Sequence, residues 1–288
     1  MRFLNFAAKF IVWGGLLTIT QLSCKPPKGR LIQSPPGYDF SQPFTNKLDL
    51  KLKEISGIAW DSKADEFLAH NDESGKLFFL DEETKDIKRE YMFAGKGDYE
   101  DVALYDGVPY VLKSDGLITK VIIDDAGNAK GEEVGKLGIS GNNDFETMFA
   151  DTNRKALIII CKNCKMDNKE SVSAFAFYPE TNQFDENPIF TIDAGNIKSL
   201  SPFKTSKFQP SAAAIHPILH KLFILSSASN QLAISDLNGN VEAVFELVKK
   251  LFPQPEGITF RNNGDMYISN EGVTSRGTIL RFLYMKKP

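Results

Sequence analysis

One short pattern occurs five times along this chain and constrains its fold more than any other feature. The copies are Glu54-Ile-Ser-Gly-Ile-Ala-Trp-Asp61, Tyr99-Glu-Asp-Val-Ala-Leu-Tyr105, Phe145-Glu-Thr-Met-Phe-Ala-Asp151, Pro210-Ser-Ala-Ala-Ala-Ile-His216 and Pro255-Glu-Gly-Ile-Thr-Phe-Arg261. Aligned, they place Ser56, Glu100, Glu146, Ser211 and Glu256 at one position, at intervals of 44, 46, 65 and 45 residues. Periods in the forties match one four-stranded propeller blade. Each copy continues through a polar turn into a second apolar run, such as Leu157-Ile-Ile-Ile160 or Met266-Tyr-Ile268, then a polar break and a third run. The expected fold is therefore all-β: a propeller of four-stranded blades, five in number, with six as the alternative. The excess in the 65-residue interval is assigned to loops near 162–171 and 193–207. Only Val241 to Phe252 competes as a helix. After Glu256 there is room for three strands, so the missing outer strand is expected from Lys47 to Leu52, closing the circle and hiding both sheet edges.

The N-terminus reads as an address. Arg2 and Lys9 accompany an apolar run from Phe10 to Thr20, eleven residues long, whereas a spanning helix needs about 20. This is the pattern of an export signal. It ends in Gln21-Leu22-Ser23-Cys24, which resembles a bacterial lipoprotein signal whose Cys is acylated after cleavage, with Gln21 departing from the Leu preferred there. Residues 25–43 contain five prolines and read as an extended tether. The expected organisation is a signal peptide over 1–23, an acylated Cys24 and tether over 24–44, and one propeller over 45–288. The expected location is the cell envelope, with the chain lipid-anchored to a bacterial membrane. A formal charge of −3 without a long basic run argues against a nucleic-acid partner. Cys161 and Cys164 are placed to form a disulfide in an oxidising envelope, or to remain free thiols. One such pair is too few for a structural zinc site.

The segments EISGIAWD, GDYEDVALYDGVPYVLKSDG, QPSAAAIHPILHKLFILSS and LFPQPEGITFRNNGDMYISNEG resemble the bacterial SdiA-regulated domain family over roughly residues 45–285. The resemblance implies an exported, envelope-associated β-propeller. It supplies no catalytic residues, since no reaction is firmly assigned to that family. Ala212 stands where the first and last copies carry Gly57 and Gly257.

In a propeller the first strand of each blade lines the central channel, so aligned positions become a ring. Glu100, Glu146 and Glu256, with Ser56 and Ser211, are thus the candidate ligand- or metal-binding residues. The second strands end at the same face, adding Asn71, Asp72, Lys113, Asp115, Asn270 and Glu271 as face candidates. Two carboxylates ~7 Å apart at an effective dielectric of about 20 repel by roughly 2.4 kcal/mol. Three such pairs approach the whole stability of an ordinary domain, so something must offset them. The choices are Ca²⁺, which suits oxygen ligands, pairing with Lys113 or Lys162, protonation through burial, or solvation of a wider ring. The apolar positions Ile58, Val102, Met148, Ala213 and Ile258 read as packing between blades.

No Gly-x-Ser-x-Gly or His-Glu-x-x-His motif is present. His70, Asp72 and Ser74 share one turn and cannot converge as a triad. The first functional expectation is a non-enzymatic module whose acidic face takes a small ligand, a cation or an envelope protein. The alternative is a metal-dependent hydrolase of lactones or phosphoesters with a cation at the channel mouth.

Overall fold

Five antiparallel sheets make up a five-bladed β-propeller in the computed structural model, which describes residues 33–201 and 207–286. The segment 1–23, expected to be a signal peptide, and Cys24 lie outside the described residues. Blade 1 comprises Ile55–Asp61, Glu66–Asn71, Ser74–Leu80 and Ile87–Lys96. Blade 2 comprises Tyr99–Tyr105, Val108–Lys113, Leu117–Ile123 and Ala129–Lys136. Blade 3 runs through Asn143–Asp151, Ala156–Cys164 and Ser171–Tyr178, and its outer position is shared by two pieces, Gln183–Phe184 and Phe190–Asp193. Blade 4 contains Ala212–Ile215, Leu222–Ser226, Gln231–Ser235 and Val241–Glu246. Blade 5 combines Pro255–Phe260, Met266–Asn270 and Thr278–Phe282 with the N-terminal strand Phe44–Lys47.

The long interval thus has a structural account. Besides the loop 165–170, it holds the divided outer strand and a short helix, Ala194–Leu200, capped by the Asp193 carboxylate, which accepts from the Asn196 backbone N–H. Closure by an N-terminal strand is as expected, but it lies earlier than Lys47 to Leu52. Phe44 pairs with Arg281 and Lys47 with Thr278, while Leu50–Leu52 turns into a 3₁₀ helix. Leu48 and Leu52, four apart, both bury while Leu50 faces out, which the two-residue alternation of a strand cannot do. Val241–Glu246 is the outer strand of blade 4 and not a helix; its Val241 and Val244 are buried against the sheet edge they complete.

The tether expected to reach residue 44 gives way to packed chain well before that. Tyr38 and Phe40 are buried, Phe40 against Phe252 and Phe282. Tyr38 donates to the Gly264 carbonyl at 2.6 Å and meets His216 Nε2 at 2.7 Å. Burying an aromatic ring contributes roughly 1.5–3 kcal/mol, enough to pin a proline-rich segment that has no apolar periodicity. Gly37 allows the turn: its φ is +86°, and a Cβ there would lie 2.4 Å from the Tyr284 ring.

The core sits between adjacent blades. Ile58, Phe67 and Phe78 of blade 1 cluster with Tyr267 and Ile279 of blade 5, and Leu68, Leu77 and Phe79 cluster with Tyr99, Val111 and Val121 of blade 2. Ile58, Val102, Met148, Ala213 and Ile258 are buried as expected and also form the apolar waist of the axial channel. No helix among the described residues is long and apolar enough to cross a membrane.

Candidate functional site

The ring residues owe their direction to a repeated β-bulge. In blade 2, Tyr99 pairs with Lys113 and Asp101 with Leu112, leaving Glu100 as an extra residue. In blade 5, Pro255 pairs with Asn270 and Gly257 with Ser269, leaving Glu256 over. In blade 3, Phe145 pairs with Cys161 and Thr147 with Ile160, leaving Glu146 over. Blade 1 shifts register between Ile55 and Ile58, and in blade 4 the Ser211 N–H donates to the Leu225 carbonyl already opposite Ala212. A bulge kinks the strand and re-aims one side chain. Repeated around the axis, it turns the ring position toward one mouth of the channel.

That mouth is a cavity of about 320 Å³. All five ring residues line it, together with Asp72, Asp98, Lys162, Gln209, Ser227, Gln254 and Glu271. The two serines are structural as well as polar: Ser56 Oγ donates to the Glu100 carbonyl and Ser211 Oγ to the Pro255 carbonyl, each at 2.9 Å, joining neighbouring blades. The three glutamates face the cavity.

Among the six face candidates, Asp72 and Glu271 line the cavity and the other four do not. Asn71 caps its own turn, accepting from the Ser74 N–H and hydroxyl. Lys113 lies over the Tyr99 ring, and Asp115 pairs with Lys136 at 2.5 Å. Asn270 is fully buried beside Thr278. These residues close the polar breaks instead of facing the axis. His70, Asp72 and Ser74 do not assemble: His70 is buried with Nδ1 against the Asn71 carbonyl, and burial lowers its pKa to about 4.

Asp98, Gln209 and Gln254 are lining residues that the repeat alignment did not single out. A signal for them exists, since each lies two residues before a ring position, just ahead of the strand that follows. Glu54 and Asp144 occupy the same aligned position in blades 1 and 3.

Among the described residues, six carboxylates thus line the cavity with one ammonium. Burial, then the neighbouring Glu146 and Asp98, pushes Glu100 up to about 9. Burial, then Glu146 and Glu271, raises Glu256 to about 8 even though Ser227 hydrogen-bonds it. Glu271 rises to about 7 through burial and the charges of Asp72, Glu54 and Glu146, while Gln254 donates to it at 2.5 Å. Burial also raises Glu146 and Asp72, and one Asp72 oxygen is enclosed without a hydrogen-bond partner among the described residues. For Lys162, burial opposes the charge, but its ion pair with Glu146 more than offsets this and holds the ammonium above its usual range. Protonation and Lys162 together therefore relieve the repulsion of the ring.

Beneath the ring, Asp101 is fully buried and far above the usual carboxylate range because of that burial. Its oxygens accept from the Val102 and Met148 backbone N–H groups, both at 2.8 Å, tying blade 2 to blade 3. Cys161 and Cys164 form a disulfide at the rim. Among the described residues, the only three side chains whose metal-binding atoms lie within 4.8 Å of one another are these two cysteines and Asp167. The glutamates stand too far apart to form a ready-made calcium cage.

A family model described as SdiA-regulated matches residues 39–273. No curated protein sequence matches the chain. Solved structures similar to it include the PQQ-bound aldose sugar dehydrogenase of Streptomyces coelicolor, 12% identical, with a TM-score of 0.55 over 87% of this chain and 99% of that one. The glutaminyl cyclase of Myxococcus xanthus is also 12% identical, with a TM-score of 0.54 over 84% and 95%. A gluconolactonase of Xanthomonas campestris, at 12% identity, has a TM-score of 0.51 over 88% and 86%. At such identity the likeness concerns the fold alone.

Proposed function

The chain belongs to the SdiA-regulated family, and from that premise we propose that it is a non-enzymatic binding module of the bacterial cell envelope. It is held to a membrane through an acylated Cys24 and takes a small cationic ligand in the acidic mouth of its channel. The observation that supports this reading is the charge imbalance: six carboxylates against Lys162 in about 320 Å³, a volume within the range of small-molecule sites. Burial first, and then repulsion, keep Glu100 and Glu256 protonated; an entering cation offsets both, so binding releases protons. The carboxylate oxygens are the donors Ca²⁺ takes, but binding it requires them to close in. An organic ammonium, with its charge carried on a longer frame, meets them where they stand.

Calorimetry on the purified protein with CaCl₂ and, separately, putrescine tests the proposal when run at pH 7.5 in two buffers of different ionisation enthalpy. Binding with net proton release in the parent, lost in E100Q/E146Q/E256Q, is expected. If Ca²⁺ is the ligand, saturation at ~100 times its Kd adds about 2.7 kcal/mol of stability, removable by EDTA. Absence of heat with both cations overturns the reading. The anchor has its own test: incorporation of a labelled fatty acid, lost in C24A.

A further inference from the structure

Among the described residues, Lys162 is the one cation lining the acidic cavity, and its surroundings are unusual. It lies inside the four-residue ring closed by Cys161 and Cys164. Both half-cystines are buried, at the end of the strand Ala156–Cys164 that pairs with the bulge carrying Glu146. From there the ammonium pairs with Glu146 and stands 3.5 Å from Asp144. Glu100 and Glu256 also feel its charge. The next residue, Asn163, accepts from Lys207 Nζ at 2.9 Å, which ties the rim to the segment entering blade 4. A lysine ammonium on a four-carbon stem is mobile by nature. Here the backbone beneath it is cross-linked within two residues.

We propose that Lys162 is the built-in counter-ion of the mouth, latched in place by the Cys161–Cys164 disulfide, and that it decides which cations the mouth accepts. Its ammonium occupies the Glu146–Asp144 side, where a divalent ion would otherwise gather its carboxylates. The open acidic side of Glu100, Glu256 and Glu271 remains for a ligand of lower charge density. The selectivity part rests on the cation-binding reading above, whereas the counter-ion part can be measured without any ligand.

The test uses K162M, K162R and C161S/C164S in the otherwise intact protein. NMR titration of the glutamate carboxyls without ligand is expected to move the Glu146 midpoint upward in K162M, less far in C161S/C164S, and hardly at all in K162R. Calorimetry with CaCl₂ is expected to show at least a ten-fold tighter Kd in K162M, with K162R restoring the parent value. A Glu146 midpoint unmoved in K162M overturns the counter-ion assignment, and one unmoved in C161S/C164S overturns the latch. A Ca²⁺ affinity within two-fold of the parent in K162M, with binding present, overturns the selectivity. If Glu146 moves but no variant binds Ca²⁺ or putrescine, the counter-ion stands and the cation-binding reading falls.

Discussion

At the scale of single residues, the aligned position after the ring residue explains more than its small side chains suggest. It is Gly57, Asp101, Thr147, Ala212 and Gly257 in the five blades. A Cβ on Gly57 would lie 2.6 Å from Asp101 Oδ1, 2.8 Å from His70 Nε2 and 2.8 Å from the Val102 nitrogen. The residue is glycine because its neighbour's buried carboxylate and a buried imidazole converge on it. G57A is expected to cost on the order of 3 kcal/mol, measured by urea unfolding, and a loss under ~0.5 kcal/mol would contradict the packing. Glu100 gives a pH signature. Its folded pKa of about 9 lies above the ordinary glutamate value of 4.5, so between those values the folded chain retains a proton that the unfolded chain has released. Its contribution to stability is present below pH ~4.5 and is lost as pH rises toward about 9. One unit of such a shift is about 1.4 kcal/mol. E100Q should therefore raise Tm by roughly 2–4 °C or more at pH 8 and change it little at pH 4.5, as scanning calorimetry in the absence of ligand would show.

At the scale of elements, two devices carry the design. The bulge puts an unpaired residue at the same height in each blade. The closing strand Phe44–Lys47 covers the edge of Thr278–Phe282, so both ends of the propeller meet in blade 5. An exposed strand edge is a template for association with another chain. Removing residues through Lys47 is expected to lower Tm by at least about 5 °C and to produce concentration-dependent self-association by light scattering. A monomer of parental Tm would show that closure is dispensable. F40A, which leaves the closing strand in place, should still cost about 3–5 kcal/mol, because the Phe40 ring is enclosed by Phe252 and Phe282.

At the scale of the whole molecule, the acids act as one group, since Glu146 raises Glu100, Glu256 and Glu271 alike. The pH 5 to 9 decline in stability removed by E100Q/E146Q/E256Q should accordingly differ from the sum removed by E100Q, E146Q and E256Q singly, and an additive result would mean that the three titrate independently. The propeller, its blade number and the ring of Ser56, Glu100, Glu146, Ser211 and Glu256 were all legible along the chain. Repetition at a constant period can be read from one dimension, and wedges around an axis convert equal position into equal height. The same alignment held the second polar layer of Asp98, Gln209 and Gln254, each two residues before a ring position. Other features depended on packing between blades and so had no local signature. Whether a polar residue at the end of a second strand faces the axis, as Asp72 and Glu271 do, or closes its own turn, as Asn71 does, depends on the neighbouring blade. The docking of Tyr38 and Phe40 and the 3₁₀ turn at Leu50–Leu52 likewise depend on which apolar surface lies nearby. Burial and the charge of Glu146 raise Glu100 and Glu256 while Lys162 pairs with Glu146, and that outcome arises only once residues far apart in the chain share one enclosed, poorly solvated space.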